Sequence, residues 1–159
     1  MLNVNQIAPD FKLPEFYGGD YHFYDIPSEV SVLVFYKFSC GTCRFALPFI
    51  QQIYDAYGDA LNFRAIAEDD REATQKFRED LGISIPTVMD LPPYPVSTAY
   101  GLQTVPSIFI VDSSHTIRFA TYSFVKQDIL NLADVLAEKT GRQQIDLFAE
   151  LEVPEIKPG

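Results

Sequence analysis

Two rhythms of apolar and polar positions run along this chain, and the change from one to the other marks out its elements. Val30 to Phe38 is an almost unbroken run of β-branched and aromatic residues, the pattern of a strand covered on both faces. From Cys43 to Tyr57 the period lengthens: Phe45, Phe49, Ile53 and Tyr57 recur at helical spacing, and Gly58 supplies a stop. Leu61 to Glu68 returns to strand-like alternation, and Arg71 to Leu81 reads as a charged amphipathic helix closed by Gly82. The first half is therefore a βαβα run.

Further along, Ile85 to Asp90 predicts a short strand, Leu91 to Pro95 an irregular proline-rich link, and Val96 to Tyr100 a short turn of helix. Pro106 to Asp112 and Thr116 to Tyr122, joined by Ser113-Ser114-His115, predict an antiparallel hairpin, and Lys126 to Lys139 a helix with Ile129, Leu132, Ala133 and Leu136 on one face. These elements imply a mixed sheet lying between helices. Near the N-terminus Phe16, Tyr17, Tyr21, Phe23 and Tyr24 cluster, and alternation along Tyr21 to Ile26 assigns them to half-buried strand. At the other end, Asp146 to Leu151 predicts one more helical stretch, while Pro154 and Pro158 predict a loose tail. The expected organisation is one domain over 1–140 followed by a C-terminal helix or loose tail over 141–159, with no internal repeat.

Composition narrows the classes of function. With 159 residues, 47% of them hydrophobic, the chain is long and apolar enough to bury one core, which excludes a disordered chain. Acidic residues outnumber basic ones, 22 against 12, and the resulting charge of −10 repels nucleic acid and anionic membranes. It favours partners that carry a basic docking patch. No segment is long and apolar enough to span a bilayer, and the first residues carry neither a basic leader nor an apolar signal core, so a cytoplasmic location is expected.

The candidate chemistry lies in Cys40-Gly41-Thr42-Cys43, the only two cysteines, where a buried strand gives way to a helix. A loop this short cannot staple distant parts of a fold, so the value of the pair is chemical. The first sulfur falls beside unpaired backbone amides and the positive end of the helix dipole, which favours thiolate. Cys43 follows about one helical turn later, within reach of a mixed disulfide on Cys40. The alternatives are a half zinc site and a pair of inert buried thiols. His22 and His115 lack the paired spacing of metal ligands, and Ser39 and Gly41 make the turn polar and accessible, so no metal and no cofactor are expected.

Three stretches carry a family resemblance: Ala8-Pro9-Asp10-Phe11; Val34 through Arg44, with Pro48 beyond it; and Val105-Pro106-Ser107-Ile108-Phe109-Ile110-Val111-Asp112. In this order they resemble the thioredoxin-like group that includes bacterial thiol:disulfide oxidoreductases and the alkyl hydroperoxide reductase/thiol-specific antioxidant peroxiredoxins. The resemblance runs from about Leu2 to Lys139. It implies a three-layer α/β/α sandwich with a mixed central sheet and an N-terminal extension. It also implies that Cys40 is the nucleophile, Cys43 the resolving thiol, and Pro106 a cis-proline that faces them and offers backbone to the substrate, with its neighbour Val105 and Ser39 as further substrate contacts. Pro48 would kink the first helix without ending it. The implied partners are protein or small-molecule disulfides and a thiol system that donates or accepts electrons.

Departures from the family pattern matter as well. Ser39 stands where the family commonly has Trp, and the chain has no Trp. Positions at which some members keep a buried acid near the cysteines are Val34 and Ala46, both apolar. Lys37 is close enough in sequence to lower the Cys40 pKa, although strand alternation equally points it to solvent. A peroxidase would need a Thr or Ser three residues before the reactive cysteine and an arginine to polarise the O–O bond. That position is Lys37, and Arg118 on the predicted hairpin is the candidate arginine. The residues therefore favour disulfide exchange, with peroxidase activity and a non-enzymatic binding module as alternatives.

Overall fold

An N-terminal hairpin, β1 (Lys12–Pro14) and β2 (Asp20–His22), leads through a short 3-10 turn into β3 (Val30–Tyr36) in the computed structural model of residues 1–159. After β3 come α1 (Gly41–Tyr57), β4 (Asn62–Ala67), α2 (Arg71–Leu81), β5 (Thr87–Met89) and α3 (Pro95–Ala99). The chain continues with β6 (Ser107–Asp112), β7 (Ile117–Tyr122), β8 (Phe124–Val125), α4 (Lys126–Thr140) and β9 (Ile156–Lys157). The main sheet has five strands in the order β5-β4-β3-β6-β7; β3, β4 and β5 run parallel, while β6 and β7 form the antiparallel hairpin expected from the pattern.

Side chains of β3 alternate between the two faces, as the period of a strand requires. Val30, Val32, Val34 and Tyr36 join a core built with α1, α2 and α4; Leu33 and Phe35 join a second core under α3 and the N-terminal hairpin. Layers on both faces explain why β3 reads as a continuous apolar run. The aromatic cluster near the N-terminus belongs to this second core through Tyr21 and Phe23, whereas Tyr17 is exposed. The hairpin also covers the edge of the sheet, with Phe16 N–H donating to Thr87 C=O at 2.9 Å, a position where an unpaired edge strand would invite foreign chains.

The helices begin and end on local chemistry. Asp70 caps α2 by accepting from Ala73 N–H at 2.9 Å, and Gly82 closes it in the left-handed conformation at φ 65°. Buried Arg78 ties α2 to the edge strand by donating to Ile85 C=O and Thr87 Oγ1, each at 2.6 Å. Pro48 lies inside α1, which continues past it.

Residues 141–159 differ from both forms expected for them. No helix forms over Asp146 to Leu151; instead Leu147 and Phe148 turn into the first core, where Phe148 packs its ring edge-on against Phe49 at 4.9 Å. Nor is the end loose, because β9 pairs antiparallel with β8, Lys157 opposite Phe124 and Ile156 opposite Val125. Long-range pairing of so short a strand between two prolines leaves no periodic trace in a sequence. The segment packs onto the domain as part of it.

Candidate active site

The parallel strand β3 delivers the chain to the edge of the sheet, Phe38 and Ser39 turn it, and α1 starts at Gly41. Cys40 occupies the helix N-cap at φ −86° and ψ 110°, and its sulfur accepts from Cys43 N–H at 3.0 Å. A sulfur therefore does here what a serine or aspartate oxygen does at ordinary helix starts. Half-buried Cys40 leaves its sulfur within reach of the cleft, whereas Cys43, one turn on, has no exposure. Both are free thiols.

Their environments drive the two pKa values apart. A hydrogen bond from the Cys43 thiol, opposed by partial burial and reinforced by the backbone N–H groups of Cys43 and Thr42, lowers Cys40 to about 6. Burial, then the hydrogen bond given to Cys40, pushes Cys43 up. The neutral Cys40 thiol also donates to Val105 C=O at 3.3 Å, a bond lost on ionisation while the amide contacts strengthen. Alkylation of reduced Cys40 by iodoacetamide should thus rise through a midpoint near pH 6 and level off above it. At pH 7, one unit above that midpoint, about nine-tenths of Cys40 is thiolate. A midpoint in the ordinary thiol range, near ~8.5, would contradict this arrangement.

A cavity of about 590 Å³ opens over Cys40. Ser39, Gly41 and Thr42 line it from the helix start, Glu68 from the end of β4, Leu102 to Val105 from the loop before β6, and Lys157 to Gly159 from the last residues. The peptide bond between Val105 and Pro106 is cis, as is that between Pro92 and Pro93. The cleft thus brings together Ser39, Cys40 and Val105, with Cys43 buried behind Cys40. Lys37 lies elsewhere: its ammonium stands 5.6 Å from the centroid of the Tyr94 ring and its charge acts on Asp69. The hydrogen bonds of the helix start carry the shift on Cys40, so the modulator role expected for Lys37 passes to them. Arg118 donates to Asp112 at 2.6 Å on the hairpin and does not line the cleft.

Two contributors escape sequence reasoning. Glu68, just after β4, is the one acidic side chain lining the cleft, and its charge raises both thiols. Val34 and Ala46 are buried and apolar, as their identities require, so the acid near the pair comes from the neighbouring strand instead. The other contributor is the end of the chain, where the Thr42 hydroxyl donates to Pro158 C=O. Strand alternation over Leu61 to Glu68 marked the first as strand-terminal; nothing local marked the second. No cluster of three or more His, Cys, Asp or Glu side chains forms a metal-ligand set.

A cysteine pair heading the helix that follows the central strand of a mixed five-stranded sheet defines a thioredoxin-like fold. The AhpC/TSA family profile matches residues 4–120, and the chain belongs to that family. No curated protein sequence matches it. Among solved structures, the thioredoxin domain of a thiol-disulfide oxidoreductase from Bacteroides vulgatus superposes with a TM-score of 0.74 at 20% identity, over 85% of this chain and 98% of that one. A thiol:disulfide interchange protein from Bacteroides sp. gives 0.75 at 19% identity, over 88% and 91%. A secreted disulfide oxidoreductase of Mycobacterium tuberculosis, described as homologous to E. coli DsbE, gives 0.68 at 19%, over 80% and 95%. At such identities these likenesses establish the shared fold.

Proposed function

We propose that this protein is a thiol:disulfide oxidoreductase that cycles Cys40 and Cys43 between dithiol and disulfide. The observation that carries this reading is the division of labour between the two sulfurs. Cys40 caps a helix, ionises near neutrality and faces a cleft, whereas Cys43 is buried, protonated and adjacent. In the first step the Cys40 thiolate bonds to one sulfur of a substrate disulfide, whose S–S bond breaks, and the other sulfur leaves as a thiolate that takes a proton from water. Cys43 then gives up its proton and attacks the Cys40 sulfur, which closes the Cys40–Cys43 disulfide and releases the second substrate thiolate. Two electrons pass to the substrate, and an external dithiol returns them.

Glu68 fits this sequence as the acceptor of the Cys43 proton. Burial and the hydrogen bond given to Cys40 keep Cys43 protonated, with the charges of Cys40 and Glu68 adding to them, so Cys43 ionises as Cys40 loses its charge to the mixed disulfide. Val105 and Ser39 flank the sulfur under attack and serve as the substrate contacts.

Family membership supports peroxide reduction as a second reading, since the same thiolate could attack peroxide. The cleft argues against it, because no arginine lines the cavity to stabilise the leaving oxygen. Rapid-mixing kinetics of the reduced protein with bis(2-hydroxyethyl) disulfide and with hydrogen peroxide, under identical conditions, separates the two. Fast disulfide exchange with sluggish peroxide reaction is expected. The reverse order of rates would make the protein a peroxidase, and reaction with neither would leave a binding module.

A further inference from the structure

The segment that closes the cleft is tied down from three directions. β9 pairs with β8. Lys126 N–H donates to Glu155 C=O at 2.8 Å, and the Lys126 ammonium stands 3.6 Å from the Glu155 carboxylate. Beyond them the Thr42 hydroxyl donates to Pro158 C=O, and Gly159 N–H donates to Ser123 Oγ at 3.0 Å. Covering apolar surface is not what this segment does, since its Ile156 side chain is 64% exposed. What it brings to the cleft is backbone.

That backbone lies against the loop before β6. Even a Cβ at Gly159 would collide with Val105 O and Thr104 Oγ1, so no other chain fits between them. An extended polypeptide that ran along Val105 to present its disulfide to Cys40 would need the space of Pro158 and Gly159. Ser39, Gly41 and Glu68 also line the cleft, and none of them is hydrogen-bonded to the segment, which is held through Thr42 and Ser123.

We infer that residues 156–159 set the substrate class of the site: they occupy the Val105 edge against extended chains and leave Cys40 open to low-molecular-weight disulfides. This rests on the oxidoreductase reading above. A small disulfide has only to align its S–S bond with the Cys40 sulfur, and the exchange then follows the two steps already written, with a small thiol leaving at each. A polypeptide disulfide reacts only while the segment is lifted. If it is lifted about one-tenth of the time, apparent reactivity toward such chains falls about tenfold.

The test uses full-length protein with the strap loosened in two ways. Ser123→Ala combined with Lys126→Glu removes the Gly159 acceptor and repels Glu155. Ile156→Gly weakens β9 at an exposed position that does not line the cleft. Reduced wild type and both variants are mixed with bis(2-hydroxyethyl) disulfide and with insulin. Loosening should speed insulin reduction about tenfold while the small disulfide stays within about twofold. An unchanged insulin rate in both variants, or an equal rise for both substrates, overturns the inference. Alkylation of Cys40 by iodoacetamide and by a maleimide-tagged extended peptide is followed in parallel. Should neither disulfide react, the oxidoreductase reading fails, and the alkylation pair decides the strap. Faster labelling by the tagged peptide alone upholds it, and equal effects on both reagents overturn it.

Discussion

Cys40→Ser is expected to lower disulfide turnover by at least about a thousandfold, while Cys43→Ser traps the protein in mixed disulfides with its substrate. The asymmetry follows from position. A serine hydroxyl at residue 40 can still accept from the N–H of residue 43 and keep the helix capped, so the fold survives and only the nucleophile is lost. With Cys43 replaced, the first bond still forms, but no second sulfur lies behind it to release the substrate. Intact-protein mass spectrometry after exposure to bis(2-hydroxyethyl) disulfide reads both outcomes at once, as no adduct for Cys40→Ser and a stable adduct for Cys43→Ser. Adducts of equal yield on the two variants would contradict the assigned roles.

Phe109→Ala should have the largest effect on stability, roughly 3–5 kcal/mol from a fold whose total is of the order of 5–15 kcal/mol. Phe109 is fully buried on β6, between β3 and β7, with its ring 5.3 Å from that of Tyr100 and 5.9 Å from that of Phe35. Truncation removes two aromatic contacts and leaves a cavity in the smaller of the two cores, which has fewer side chains with which to refill it. Urea unfolding followed by far-UV circular dichroism measures the loss, and a change below about 1 kcal/mol would show that this core relaxes around the gap. The cysteines lie across the sheet, against the other core. The folded fraction of Phe109→Ala should therefore keep its alkylation midpoint near pH 6.

What could be read from the chain beforehand follows the range of the forces involved. The helix over Arg71–Leu81 was visible because its amphipathic face and its closing Gly82 are neighbours in sequence. The run from Val30 was visible because both faces of β3 are covered. The thiol pair at a strand-to-helix turn was equally local: the cap, the turn and both sulfurs span a few residues. Lys37 shows the limit of that reasoning, since closeness along the chain to Cys40 did not tell whether its ammonium would face the sulfur or, as it does, Tyr94 and Asp69. Glu68 reaches the cleft through the pairing of β3 with β4, which no local pattern encodes, and Val105 through that of β3 with β6, which only the family resemblance pointed to. The least legible part was β9, two residues between prolines whose partner lies on the far side of α4.

The central strand finds its partners at unequal distances, β4 soon after it and β6 only after α3, and this spacing sets an order in time. Contacts between distant parts of a chain close later than local ones. The cap on Cys40 and the first turn of α1 need only nearby residues, whereas Val105 arrives with β6, and Pro158 and Gly159 arrive last of all. The cap of Cys40 thus needs four consecutive residues, while the walls of its cleft wait on three separate stretches of the chain.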